Sequence, residues 1–178
     1  MSSVSDMTPT SESVGPSYIY CDTLASIWQL REDFRNWSKE PIFVDCEGLD
    51  LGRRGGKLGL VQLGIGEKIY LVDPIACPDG MATMKYILED STCNKVVWDG
   101  RNDFSELWHG PYTISMSPVI DLQLVYVRLA TGGRKGSRGF VKVEGMDKAF
   151  EKLERTKLIE SGIDLERFAE GLNSSCEL

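Results

Sequence analysis

Between residues 41 and 74 three runs rich in β-branched and aromatic residues stand almost back to back. They are PIFVDCEG (41–48), LGLVQLGI (58–65) and KIYLVDP (68–74). A polar glycine-rich turn, GRRGG at 52–56, separates the first two, and only Gly66 and Glu67 separate the second and third. Connections this short cannot carry the long crossover that parallel neighbours require, so the three runs are expected to pair as an antiparallel meander. The pattern then changes. Residues 81–89 suit a helix, 95–98 a strand, 102–108 a helix, 119–121 a short strand and 122–129 a helix. A meander followed by β-α-β-α predicts an α/β domain with a mixed sheet flanked by helices.

Upstream of the meander, residues 18–21 read as an edge strand. Asp22 or Thr23 can cap the helix that follows, whose apolar stripe is Leu24, Ile27, Trp28, Leu30 and Phe34. Downstream, TGGRKGSRG (131–139) reads as a flexible basic loop, and 145–153 and 163–171 as short helices. Residues 1–16, rich in Ser, Thr and Pro and without a basic or apolar leader segment, are expected to be disordered. Residues 17–178 are expected to form one domain.

Composition narrows the class. With 42% hydrophobic and 26% charged residues the chain resembles ordinary globular proteins, and no apolar run is long enough for a membrane-spanning helix. The five cysteines are odd in number, irregularly spaced and form no CxxC pair. That pattern disfavours zinc and a disulfide framework and favours a reduced, intracellular setting, cytoplasmic or nuclear. A net charge of −7 argues against holding nucleic acid on a broad basic face. It is compatible with an enzyme that grips a few terminal nucleotides through carboxylates and divalent metal.

Asp45 and Glu47 lie two apart in the first meander strand. Strand side chains alternate faces, so both carboxylates point the same way, with Phe43 below them and Val44 and Cys46 on the other side. Acids at an exposed strand end can simply meet water. On an apolar strand their desolvation would instead call for a partner, and a hard divalent cation supplies one. A second cluster adds weight. KVVWDGRNDFSEL (95–107) is a strand, a polar turn and the start of a helix, which places Asp103 near the carboxyl end of its strand. Ligand sites in open α/β sheets occupy that crevice, so Asp103 is expected to face Asp45 across neighbouring strands. Taken singly, Asp103 reads as an acid favoured by the helix dipole, Asp99 as a helix cap and Arg101 as an exposed charge.

FVDCEG, GKLGLVQLG, IYLVDP, VVWDGRNDFSEL and VIDLQLVY, in that order, resemble the ribonuclease D-like 3′–5′ exonuclease domains of the DEDD superfamily. The eukaryotic "3′–5′ exonuclease domain-containing" branch is the most similar in flavour. The resemblance covers roughly residues 18–153. It implies a ribonuclease H-like fold and two-metal hydrolysis of phosphodiester bonds at the 3′ end of single-stranded RNA or DNA, with Mg²⁺ or Mn²⁺. Asp45, Glu47 and Asp103 would be the metal-binding and catalytic acids. Gly48, Leu49, Arg101 and Asn102, beside them, would touch the nucleic acid. No membrane partner is implied, and the oligomeric state stays open.

The sequence departs from the family in one respect. The third motif, His or Tyr with Asp four or five residues later, has no match after Asp103, because His109, Tyr112 and Tyr126 all lack an acid at that spacing. Asp147 and Asp164 read as surface helix residues. The chain is therefore expected to be C-terminally incomplete, and a catalytically impaired nucleic-acid-binding or scaffold relative is the alternative expectation. Asp121 reads as a cap for the next helix. Arg53, Arg54, Lys57, Arg134, Lys135 and Arg138 read first as solvated loop charges and second as phosphate contacts. Trp98 stands where members of the family often carry histidine.

Overall fold

The short turns produce the meander the sequence predicts. A computed structural model describes residues 16–130 and 145–149. Its elements are β1 (Ser17–Cys21), α1 (Leu24–Arg35), β2 (Ile42–Leu49), β3 (Lys57–Ile65), β4 (Lys68–Val72), a 3₁₀ turn (Pro78–Gly80), α2 (Met81–Leu88), β5 (Lys95–Val97), α3 (Arg101–His109), β6 (Val119–Asp121) and α4 (Leu122–Ala130). They build one six-stranded sheet in the order β1-β4-β3-β2-β5-β6. The pairs β2/β3 and β3/β4 are antiparallel, while β1/β4, β2/β5 and β5/β6 are parallel. The sheet is therefore mixed, and β1 is an edge strand as expected.

The core explains why the runs take this arrangement. Ile27, Leu30 and Phe34 of α1 and Met84, Ile87 and Leu88 of α2 are buried in one cluster with Val44, Val61, Leu63 and Tyr70 of the sheet. Thr23 caps α1, accepting a bond from Ser26 N at 3.3 Å while Ser26 Oγ accepts from Thr23 N at 3.3 Å. The stripe of α1 is narrower than the sequence suggests. Leu24 and Trp28 are about half exposed, and the Arg31 guanidinium lies 5.6 Å from the Trp28 ring.

One buried charge fixes β5. Lys95 is fully buried, and its ammonium donates to the carbonyls of Asp90 (2.5 Å), Cys93 (2.8 Å) and Ser117 (2.7 Å). Three acceptors meet its three donors, which is how such a charge is tolerated inside. Burial still pushes its pKa down. The tripod holds the start of β5 against the segments on either side, and β5 leads directly into Asp103.

The four cysteines among the described residues, Cys21, Cys46, Cys77 and Cys93, are free and buried. No helix among the described residues is long and apolar enough to cross a membrane. The expected basic loop at 131–139, the helix at 163–171, all but the last residue of the disordered segment expected at 1–16, and Arg134, Lys135, Arg138 and Asp164 lie outside the described residues.

Candidate functional site

Strand β2 presents its acids as its alternation dictates. Val44 and Cys46 are buried at 4% and 5% exposure, while Phe43, Asp45 and Glu47 face outward. Opposite on β3, Gln62 pairs with Asp45, and its Nε2 donates to Asp45 Oδ2 at 3.2 Å. The register slips between Glu47 and Gly48, so β3 bulges beneath the end of β2. Gly48 is a glycine because of that bulge. A Cβ there would lie 2.2 Å from the Lys57 carbonyl oxygen, so β3 leaves no room for a side chain at this position. Leu49 emerges at the strand end, 66% exposed, next to the acids.

Strand β5 runs parallel to β2, with Ile42 opposite Lys95 and Phe43 opposite Val96. The chain leaves β5 through Trp98, Asp99 (φ +55°) and Gly100 and enters α3. The inward face of α3 carries Asp103, Glu106 and Leu107, spaced i, i+3 and i+4. Asp103 is only 7% exposed, and its carboxylate makes no hydrogen bond among the described residues. Burial first, then the charges of Asp45, Asp99, Glu47 and Asp121, push its carboxyl up to about 7. Burial also raises Asp45, opposed by a bond from the Cys46 N–H. Asp103 thus lies within electrostatic reach of Asp45 and Glu47, and the three acids repel one another.

Two residues that the sequence reading undervalued shape this crowd. Asp121 caps α4 as expected, its Oδ1 accepting from Gln123 N at 2.9 Å. It also accepts from Asp99 N at 3.1 Å and Gly100 N at 3.3 Å, so it ties the turn before Asp103 to the end of β6. Glu106, 7% exposed, accepts from Gly52 N at 3.1 Å and so pins the β2–β3 loop to α3. Its i+3 spacing from Asp103 was the available signal.

Asp99 is not the helix cap the sequence suggests. The N-cap of α3 is Gly100, without a side-chain bond, and the Asp99 carboxylate instead takes Arg101 Nε at 2.6 Å and Nη2 at 3.0 Å. Arg101 is thus exposed and already paired. Asn102 packs against the β2–β3 loop, where a Cβ on Gly52 would come within 2.9 Å of its Cα. Trp98 packs at a tilt against Tyr126 of α4, with ring centroids 6.3 Å apart. Asp147 is exposed, as a surface helix residue should be.

Among the described residues no three His, Cys, Asp or Glu side chains converge closely enough to hold a metal ion by themselves. The chemistry of the donors nevertheless fits a hard divalent cation. Asp45, Glu47 and Asp103 offer oxygens only, and no Lys or Arg among the described residues is paired with them. Mg²⁺ keeps several waters and takes phosphate oxygens, so an open set of carboxylates suits it better than a closed cage.

Known proteins carry the same architecture. The 3′–5′ exonuclease family model matches residues 19–135. RNase D of Trypanosoma brucei superposes with a TM-score of 0.64 at 20% identity, covering 77% of this chain and 41% of that one. Escherichia coli RNase D gives 0.52 at 28% identity, covering 70% and 31%. The Aedes aegypti Nibbler EXO domain gives 0.57 at 15% identity, covering 73% and 65%. The chain thus spans less than half the length of both RNase D chains. A comparison with curated protein sequences gave no match. From the family match and the shared mixed sheet, the chain belongs to the 3′–5′ exonuclease family and has the ribonuclease D-like fold.

Proposed function

We propose that this domain hydrolyses phosphodiester bonds at the 3′ end of single-stranded nucleic acid. The observation that carries the reading is the Asp103 carboxylate, on a residue only 7% exposed, held close enough to Asp45 and Glu47 for their charges to raise it, with no Lys or Arg among the described residues paired to any of the three. Such a group is costly unless something cationic comes to it. Asp45 and Glu47 would hold one divalent cation and Asp103 a second. Mg²⁺ or Mn²⁺ bound there would lower the charge cost on the attacking and leaving oxygens of an in-line displacement. Glu47, outward at the last position of β2 before the register shift, would orient the attacking water or the terminal 3′-hydroxyl. Gln62 would keep Asp45 in place, and Asp121 would keep the 99–100 turn from swinging Asp103 away. Leu49 offers apolar surface for a terminal base. The Trypanosoma brucei RNase D structure compared above is a complex with GMP, and a second one is a complex with RNA U12, which supports a nucleotide strand as the ligand class.

A second reading is a relative that binds nucleic acid without turnover. Among the described residues the acids do not converge on one metal position, which favours this reading. The two readings separate on incubation with 5′-labelled single-stranded RNA and DNA and Mg²⁺ or Mn²⁺. Stepwise shortening from the 3′ end supports the exonuclease. Binding with no shortening at any metal concentration supports the second reading.

A further inference from the structure

The loop between β2 and β3 carries features that the acid cluster does not use. Residues 50–57 hold three cations, Arg53, Arg54 and Lys57, against one acid, Asp50, in a chain whose net charge is −7. A cavity of about 430 Å³ opens between this loop and α3, lined by Arg53, Arg54, Gly55 and His109, with Ser105 and Glu106 behind. His109 is the chain's single histidine. Arg54 makes no ion pair or hydrogen bond among the described residues, and Arg53 has only an exposed 3.7 Å pair with Asp50.

The loop is also held in shape. Arg53 N donates to Asp50 O at 3.1 Å and Gly56 N to Arg53 O at 2.9 Å. From α3, Glu106 Oε2 takes Gly52 N at 3.1 Å and Ser105 Oγ reaches Gly52 O at 3.3 Å. Glu106 is the one carboxylate in the cavity wall, 7% exposed and turned to the Gly52 N–H, against the two guanidinium groups of Arg53 and Arg54. At Gly55, φ is +87° and a Cβ would meet nothing within 4 Å, so the backbone there stands open to a ligand. A fixed glycine loop with open backbone and two available guanidinium groups is suited to phosphate oxygens, which Arg grips in forked pairs.

Position gives the cavity its meaning. Gly52 packs on Asn102, the residue before Asp103, so the cavity flanks the acid cluster on the same helix. From this we infer that Arg53, Arg54 and the glycine loop form a sequence-independent phosphodiester subsite for an upstream portion of the strand whose 3′ end reaches Asp103. The inference rests on the exonuclease reading and specifies its substrate as a strand of several nucleotides, held at both places.

The test is equilibrium binding of the full chain, in chelator, to a labelled dinucleotide and to a labelled dodecanucleotide, over a salt series. The Arg53→Gln/Arg54→Gln double variant is expected to lose about tenfold affinity for the dodecanucleotide at low salt. Its slope of log affinity against log salt should flatten by about 1.4, the value for two phosphate contacts on a single strand. Dinucleotide binding should not change. Arg53→Lys/Arg54→Lys should keep most of the salt slope, which a purely structural role for the loop would not predict. Unchanged dodecanucleotide binding in the Gln variant overturns the subsite while leaving the exonuclease reading intact. Equal losses for both oligonucleotides also overturn it, because the arginines would then act on the terminal site or on the fold. Equal affinity of the wild type for an acidic peptide of matched charge overturns it in favour of protein docking. If the wild type binds neither oligonucleotide in chelator, the subsite falls, while the exonuclease reading is decided separately by 3′-end shortening with Mg²⁺ or Mn²⁺.

Discussion

Asp103 makes the account testable at the scale of one residue. Its carboxyl stands at about 7 against an ordinary 3.8, with burial the first cause. Below about pH 4 folded and unfolded chains both hold the proton, and above about pH 7 neither does. Between these limits the unfolded chain ionises first, so metal-free stability falls as pH rises through the window. The full shift corresponds to roughly 4 kcal/mol. Discounted for partial relaxation and hydration of the site, Asp103→Asn should stabilise the metal-free protein at pH 8 by about 2 kcal/mol. Thermal melts in chelator check this, and no difference between variant and wild type at pH 8 would contradict it. Added Mg²⁺ should raise the wild-type melting temperature more than that of the variant. Asp121 acts one step away. Asp121→Ala strips the acceptor from three backbone N–H groups and should cost about 1–3 kcal/mol. If it serves only as a helix cap, kcat should be unchanged once stability is matched at lower temperature. If it positions Asp103, kcat should fall with KM little changed, and Asp121→Asn, which keeps one acceptor oxygen, should recover part of the loss.

At the scale of elements, the legible features were those set by local periodicity. The alternation in 41–48 assigned Asp45 and Glu47 to one face and Val44 and Cys46 to the other, and the structure agrees. The order strand, polar turn, helix placed Asp103 in the first turn of α3. Features that depend on a partner element were not legible. The bulge beneath Gly48 exists because β3 carries one extra residue, Gly59, against the end of β2, and nothing within residues 41–48 reveals it. Asp99 has the residue type of a cap, but its bond to Arg101 and its left-handed backbone take it out of that role. Gly48→Ala should therefore be severe, since its Cβ would meet the backbone carbonyl of Lys57 at 2.2 Å. A loss of about 3 kcal/mol or more in denaturant melts is expected. Gly64→Ala, whose Cβ would meet only the Phe43 side chain at 3.2 Å, should cost much less. Equal effects would refute the assignment of Gly48 to strand packing.

For the whole molecule, the mixed sheet was readable because its connections are short on one side and helical on the other. The strand order was readable only in part. Parallel addition of β1 beside β4 depends on the burial of α1, and the placement of β5 depends on the Lys95 tripod, both long-range effects. The three acids could be named together because Asp45 and Glu47 share one face of β2 and Asp103 opens the helix that follows its neighbour β5. Glu106 and the second role of Asp121 were missed because each acts on a loop distant in sequence. All of this geometry serves one claim, that Asp45, Glu47 and Asp103 act together on a nucleic-acid 3′ end. The direct measurement is the rate of 3′-end shortening of labelled single-stranded RNA and DNA, with Mn²⁺ or Mg²⁺, by the wild type and by Asp45→Ala, Glu47→Ala and Asp103→Asn. The account predicts metal-dependent shortening by the wild type and a fall of about a hundredfold or more in each variant, with oligonucleotide binding retained. Shortening that persists at the wild-type rate in any of the three variants, or a wild type that binds the strand and never shortens it, would contradict the account.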